Sequence, residues 1–115
     1  MTSKEMEARS GVPRANIRYY EAEGLLAPAR SGNGYRDYSE EDLRTLEKIK
    51  LLRKLSLEVG TISRLKAGEL TLSQALREQA AVLEADRGDL ERYAQVCLEM
   101  SRTEVDFGTL DPEPW

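Results

Sequence analysis

Histidine is absent from the 115-residue sequence, and cysteine occurs once, as Cys97. A single thiol excludes a disulfide within the chain and is typical of a protein in a reducing cytoplasm. Acid–base and nucleophilic catalysis commonly use histidine or an activated nucleophile, whereas the carboxylates of this chain are scattered over faces that solvent would cover. The sequence therefore predicts a protein that is not an enzyme.

Long hydrophobic runs are also absent from the sequence. No stretch approaches the roughly 18 apolar residues that a membrane-spanning helix needs. The first residues are charged where a signal peptide would have an apolar core. We expect a cytoplasmic protein that makes no membrane contact within this chain.

The charge is unevenly distributed along the chain. The net charge is −4, yet residues 1–56 hold 11 basic and 9 acidic side chains, whereas residues 57–115 hold 6 basic and 12 acidic ones. A mildly basic first half is compatible with DNA, because only the charge that faces the phosphates attracts them. Two halves that simply have solvated faces would show the same distribution.

Two short helices separated by a tight turn are predicted near the start of the chain. The first begins at about Ser3 and ends before Gly11, and the second begins at Pro13 and ends at Gly24. Proline is accepted at the first helical position because its missing N–H has no partner there. This arrangement predicts a helix-turn-helix unit.

The second helix has two distinct faces. Ile17 and Tyr20 share one side, and Arg18 and Tyr19 lie on the other by the helical period. A cation and a phenol on the outer face would suit a DNA groove. An ordinary solvated face with one exposed tyrosine accounts for the pattern equally well.

A β-hairpin is predicted around Asn33-Gly34, because both residues tolerate the positive φ of a type I′ turn. Arg30 and Arg36 would then project from a small basic wing. The other interpretation is a structural hairpin whose arginines pair with acids of the second helix, and we expect this of only one of the two.

The rest of the chain is predicted to be helical. A third helix follows a capping pattern at Ser39 and has a buried apolar stripe, and a fourth short helix ends at Gly68. A long helix begins after Thr71, since no proline follows until Pro112. Beyond it, Phe107 and Trp115 could anchor an irregular tail.

The long helix carries an apolar seam that repeats every seven residues. This seam is too narrow for a globular core and too regular to face solvent, so a second copy of the helix is the simplest partner. Packing back onto the chain's own domain is the other interpretation. The predicted dimer-interface residues are Leu72, Leu76, Leu83, Leu90, Tyr93, Cys97 and Met100.

A series of spaced motifs runs through the first part of the chain: Gly11-Val12, Ile17-Arg18-Tyr19-Tyr20-Glu21, Gly24-Leu25-Leu26, Asn33-Gly34-Tyr35-Arg36, Tyr38-Ser39 and Leu52-Arg53. These motifs closely resemble the DNA-binding domain of the MerR-family transcriptional regulators. The resemblance covers about residues 4–65 and is dense enough to be specific. Ser56 departs from the pattern, because glycine is frequent at that position in the family.

The resemblance implies a mainly α fold, with a winged helix-turn-helix of four short helices and a small β-hairpin, followed by a long helix that forms an antiparallel coiled coil. The expected domains are a DNA-binding head at 1–69, a dimerisation helix at 70–104 and a tail at 105–115. The implied partners are double-stranded promoter DNA, a second copy of the chain and RNA polymerase. Members of the family bend and untwist the spacer between promoter elements.

Carried over by position, the resemblance also implies which residues contact DNA. Three lie on the second helix, four on the wing and one at the base of the wing. They are Asn16, Arg18, Tyr19, Arg30, Asn33, Tyr35, Arg36 and Tyr38.

No cofactor is expected. Metal-sensing and iron–sulfur members of the family use several cysteines, and a single Cys97 without histidine supplies neither ligand set. We therefore expect the regulatory signal to enter through a segment outside these residues, with the tail as the connection. A groove at the dimer interface beside Tyr93, Cys97 and Met100 is the lesser possibility.

A protein-interaction module is the competing function. In that case the helix-turn-helix head would be a scaffold, and the coiled coil would bind the protein partner. The basic wing favours the DNA-binding interpretation, since an interaction module does not require arginines on both sides of an Asn-Gly turn.

Overall fold

The computed structural model describes residues 1–103 and 106–114, so Trp115, one of the two predicted tail anchors, lies outside the described residues. Within them the predicted mainly helical architecture, with a two-stranded hairpin and a long final helix, is confirmed. The elements are α1 (Ser3–Ser10), α2 (Arg14–Ala22), β1 (Ala29–Arg30), β2 (Arg36–Asp37), α3 (Glu40–Lys54), α4 (Val59–Lys66) and α5 (Leu72–Ser101).

The chain divides into two compact units, Met1–Gln79 and Ala80–Trp115. The first unit contains α1 to α4, the hairpin and the first turns of α5. The second contains the remainder of α5 and the described part of the tail. The largest fully buried side chains all belong to the first unit; they are Met6, Ile17, Leu25, Leu46 and Leu57.

Capping side chains set the starts of α1 and α3. The Thr2 hydroxyl accepts from the Glu5 backbone N–H while the Glu5 carboxylate accepts from the Thr2 N–H, and Ser39 and Asp42 repeat this reciprocal pair at α3. Each pair satisfies two backbone donors that a helix start leaves free. Pro13 is the N-cap of α2 and not its first helical residue, so the helix begins at Arg14, one residue later than the sequence predicted.

The hairpin exists, but its predicted turn type is wrong. Of the Asn33-Gly34 pair, only Gly34 has a positive φ, 85°, whereas a type I′ turn requires both. The Gly34 N–H donates to the Ser31 carbonyl at 2.9 Å, and the Ser31 N–H donates to the Tyr35 carbonyl at 2.8 Å. These bonds close a three-residue loop, 32–34, in which the glycine takes the left-handed position.

Two lysines form hydrogen bonds that connect the helices of the first unit. The Lys50 ammonium donates to the Ser10 carbonyl at 2.9 Å, and the Lys66 ammonium donates to the Leu25 carbonyl at 2.7 Å. Both acceptors lie where a helix ends or has just ended, so each cation satisfies a carbonyl that has no partner within the helix. These two hydrogen bonds help to fix the positions of α1 and α2, and hence of the surface described next.

Candidate nucleic-acid interface

Helix α2 presents its predicted outer face to solvent. Ile17 and Tyr20 are buried and hold the helix on the core, as their spacing predicted. Asn16, Arg18 and Tyr19 are exposed on the remaining surface, and half of the Tyr19 side chain is accessible. Arg18 has no ion-pair partner among the described residues, so its charge is available to an anionic ligand.

The wing is ordered by its own side chains. The Arg30 guanidinium donates to the Gly34 carbonyl at 3.2 Å across the loop. The Asn33 side-chain oxygen accepts from the Tyr35 N–H at 3.3 Å and from the Ser31 hydroxyl. Tyr35 therefore stands at the end of a fixed loop with 73% of its surface exposed.

Glu21 connects helix α2 to the second strand of the wing. One of its carboxylate oxygens accepts from Arg36 Nε at 2.8 Å, and the other accepts from the Tyr38 hydroxyl at 2.6 Å. Arg30, by contrast, pairs with no carboxylate in the described part of the chain. The expectation that only one of the two wing arginines pairs with an acid of the second helix is confirmed.

Tyr38 lies in the core, with 2% of its surface exposed. Burial, followed by the hydrogen bond to the Glu21 carboxylate, raises the pKa of the Tyr38 phenol, since both penalise the phenolate. In this conformation its side chain is not accessible to DNA, although the family resemblance grouped it with the DNA-contacting residues. Its hydroxyl instead donates a hydrogen bond that holds the Glu21 carboxylate in place.

An open cleft of about 700 Å³ lies between the helix-turn-helix and the wing. It brings together five of the eight predicted DNA-contacting residues: Arg18, Arg30, Asn33, Tyr35 and Arg36. Asn16 and Tyr19 are exposed on α2 outside its lining. A smaller cleft of about 390 Å³ is also lined by Arg18, Arg30 and Arg36, so these arginines border both clefts.

The larger cleft is lined by more cationic than anionic side chains. Glu5 and Asp37 are its only carboxylates among the described lining residues. Glu5 is engaged by Thr2, whose backbone N–H lowers the pKa of that carboxyl, and Asp37 accepts from the N-terminal ammonium at 3.1 Å. The cationic lining residues are Lys4, Arg14, Arg18, Arg30 and Arg36.

Lys4 and Arg14 line the larger cleft but were not among the predicted DNA-contacting residues. Each lies in the first turn of a helix, where a positive charge is unfavourable beside the positive end of the helix dipole. That mismatch is a signal in the sequence, because a residue that violates a local preference often belongs to a functional site. Arg14 is also 3.3 Å from the Glu7 carboxylate. That exposed pair is a weak one.

The predicted dimer-interface residues form an apolar series on α5. Leu90 is 65% exposed and Tyr93 is 55% exposed in the single chain, and the other leucines of the series are at least one-third exposed. Cys97 is exposed, and Met100 is half-buried. These exposures leave an apolar stripe open to solvent in the single chain, and such a stripe is typical of a helix that packs against a partner.

Residues 1–103 and 106–114 contain no group of three or more histidine, cysteine, aspartate or glutamate side chains placed to hold a metal ion. Within the same residues, no helix is both long and apolar enough to cross a membrane.

The chain matches the family described as MerR HTH family regulatory protein over residues 1–69. It is 33% identical to the HTH-type transcriptional regulator HmrR of Rhizobium leguminosarum bv. viciae, over 90% of this chain and 80% of that protein. It is 36% identical to the heavy metal-dependent transcription regulator 2 of Rhizobium meliloti, over 90% of this chain and 71% of that protein.

A solved structure shows the same fold. The N-terminus of MtaN, the Bacillus subtilis multidrug transporter activator, superposes with a TM-score of 0.76 at 24% identity and covers 90% of this chain and 99% of its own. The relatives are transcriptional regulators and not enzymes, in agreement with the expectation from the sequence. The chain belongs to the MerR family of helix-turn-helix transcriptional regulators.

Proposed function

We propose that this regulator binds double-stranded promoter DNA through the cationic cleft between its helix-turn-helix and its wing. The observation that carries the proposal is the convergence of five cations from α1, α2 and the wing on one concave surface. Phosphate contacts supply most of the affinity of such a surface, and they also fix the orientation of the protein on the duplex.

Within this proposal the exposed residues have different roles. Arg18, Arg30 and Arg36 neutralise phosphates or reach base edges, with Lys4 and Arg14 extending the phosphate contact. The exposed polar and aromatic side chains complete the DNA surface; they are Asn16, Tyr19, Asn33 and Tyr35. Tyr38 supports the wing from inside.

The protein acts as a homodimer in this proposal, with α5 as the dimerisation helix. A second copy would cover the exposed leucines of α5 in an antiparallel coiled coil, which places two DNA-binding heads on one duplex. The head then comprises residues 1–69, the dimerisation helix 70–104 and the tail 105–115. A symmetric dimer favours a pseudo-palindromic site.

Control of transcription would follow from the shape of the bound DNA. In the proposed action the dimer bends and untwists the spacer between the two promoter elements, so that RNA polymerase engages both. Such deformation costs several kcal/mol, roughly 1–6 for a smooth bend of one site. Extra contacts along the cationic cleft would offset that cost.

Fluorescence anisotropy tests the proposal. A labelled duplex, selected from a random pool with the full chain, is titrated over a salt series. Binding should weaken steeply as salt increases, because each phosphate contact releases counterions. Arg18→Ala should cost roughly 1–3 kcal/mol if Arg18 reads a base edge, and less if it contacts only phosphate.

Arg64→Ala is the matched control, since it removes the same charge from α4 outside both clefts. It should leave affinity nearly unchanged. Binding that ignores salt, or an Arg18→Ala and Arg36→Ala double variant with unchanged affinity, would refute the proposal and favour a protein-interaction module.

A further inference from the structure

The Glu21 carboxylate links helix α2 to strand β2 through an ion pair with Arg36. Its side chain is only 11% exposed, and the Arg36 side chain that it pairs with is 23% exposed. Both carboxylate oxygens are used, one by Arg36 Nε and one by the Tyr38 hydroxyl. An ion pair this sheltered is less screened by salt than the exposed pairs elsewhere on the chain.

The geometry at Arg36 determines which of its donors remain available. The guanidinium is planar, so a hydrogen bond that fixes Nε also fixes the plane in which the two terminal nitrogens lie. Those terminal nitrogens have no protein partner among the described residues, and Arg36 lines both cationic clefts. Glu21 therefore holds the inner edge of the guanidinium and leaves its outer edge for a ligand.

We propose that Glu21 is a positioning residue for DNA recognition, which orders Arg36 and couples the wing to Arg18 on the same helix. This inference rests on the proposed function, because it assumes that DNA occupies the cleft. An ordered side chain loses less conformational entropy when it binds, and a coupled wing and helix engage the duplex as one surface.

A positioning role for Glu21 and simple electrostatic repulsion by its charge predict changes in DNA affinity of opposite sign. Glu21 is an anion near a surface that binds an anion, so its charge alone repels DNA, and neutralising it would strengthen binding. If Glu21 acts by positioning Arg36, neutralising it weakens binding instead. The sign of the change separates the two roles.

Glu21→Gln, compared with Glu23→Gln in the anisotropy assay on the selected duplex, provides the test. Glu23 is an exposed carboxylate two positions along the same helix end, and it has no ion pair in the described part of the chain. Glu23→Gln should bind as wild type does or slightly more tightly. Glu21→Gln should bind about tenfold more weakly, the scale of a coupled pair of side chains.

A double-mutant cycle shows whether Glu21 acts through Arg36. In the Arg36→Ala background the effect of Glu21→Gln should disappear, which a general loss of stability would not produce. Melting curves of every variant confirm that binding is measured on folded protein. Glu21→Asp replaces Glu21→Gln if the latter does not fold; it keeps the charge but is too short to serve both partners, so it too should weaken binding.

Three outcomes would overturn the inference while leaving the proposed function intact. Glu21→Gln could behave as Glu23→Gln does, its loss could persist unchanged in the Arg36→Ala background, or Glu21→Asp could bind as wild type does. Absence of salt-dependent binding by the wild-type chain would instead refute the proposed function itself.

Discussion

Ser56 follows Leu55, the C-cap of helix α3, in a conformation that usually requires glycine. Its φ is 68°, in the left-handed region where a Cβ crowds the following carbonyl oxygen. The Ser56 N–H donates to the Arg53 carbonyl at 2.9 Å, and the Leu57 N–H donates to the Leu52 carbonyl at 3.1 Å. These two bonds form a Schellman motif, and the buried Leu57 side chain fixes the chain direction after it.

Ser56→Gly should therefore raise the free energy of unfolding. Relief of the left-handed strain contributes about 1–2 kcal/mol. The greater freedom of glycine in the unfolded chain offsets about 0.4–1 kcal/mol of that gain. A net gain of about 0.5–1 kcal/mol raises the melting temperature by roughly 2–8 °C for a domain of this size.

Thermal melts followed by far-ultraviolet circular dichroism measure the change, at one fixed chain concentration because dimer stability depends on concentration. Ser63→Gly is the control, since Ser63 lies within helix α4, where glycine lowers stability by about 0.5–1 kcal/mol relative to a residue with a side chain. A Ser56→Gly protein that melts at or below the wild-type temperature would show that the strain argument is wrong.

Three further predictions concern the dimer, the core and the signal. Leu83→Asp should abolish dimerisation, because an unpaired carboxylate at the apolar seam costs several kcal/mol; a monomeric wild type in light scattering at micromolar concentration would contradict this. The stability that the protonated Tyr38 phenol contributes should be fully present below about pH 10, the pKa of an unfolded tyrosine, and should be lost as the pH rises through the raised pKa of Tyr38. Urea unfolding should show a smaller loss of stability at high pH in Tyr38→Phe than in the wild type. Zinc or copper should leave the melting temperature unchanged; a tight, stoichiometric metal complex would show that Cys97 belongs to a sensor.

The starts and faces of the helices could be predicted because they depend on interactions over three or four residues. Thr2 and Ser39 each find a capping partner three positions ahead, and Ile17 and Tyr20 share a face in any α-helix. Glycine turns and the apolar seam of α5 are equally local signals. They sufficed to indicate a winged helix-turn-helix and its family.

The turn of the wing was predicted less well, because a dipeptide preference competes with the side chains around it. Asn33 uses its side chain to accept from Ser31 and Tyr35, and this network favours a three-residue loop over the type I′ turn that Asn-Gly alone favours.

The helices, the wing and the positions of the wing arginines can be predicted from the sequence, since each follows from local geometry. The use of those residues depends on the tertiary structure. It buried Tyr38, engaged one edge of Arg36 with Glu21 and brought Lys4 and Arg14 into the same cleft as Arg30. These are contacts between segments far apart in the sequence, and no local preference specifies them, because they exist only once the helices have packed around a common core.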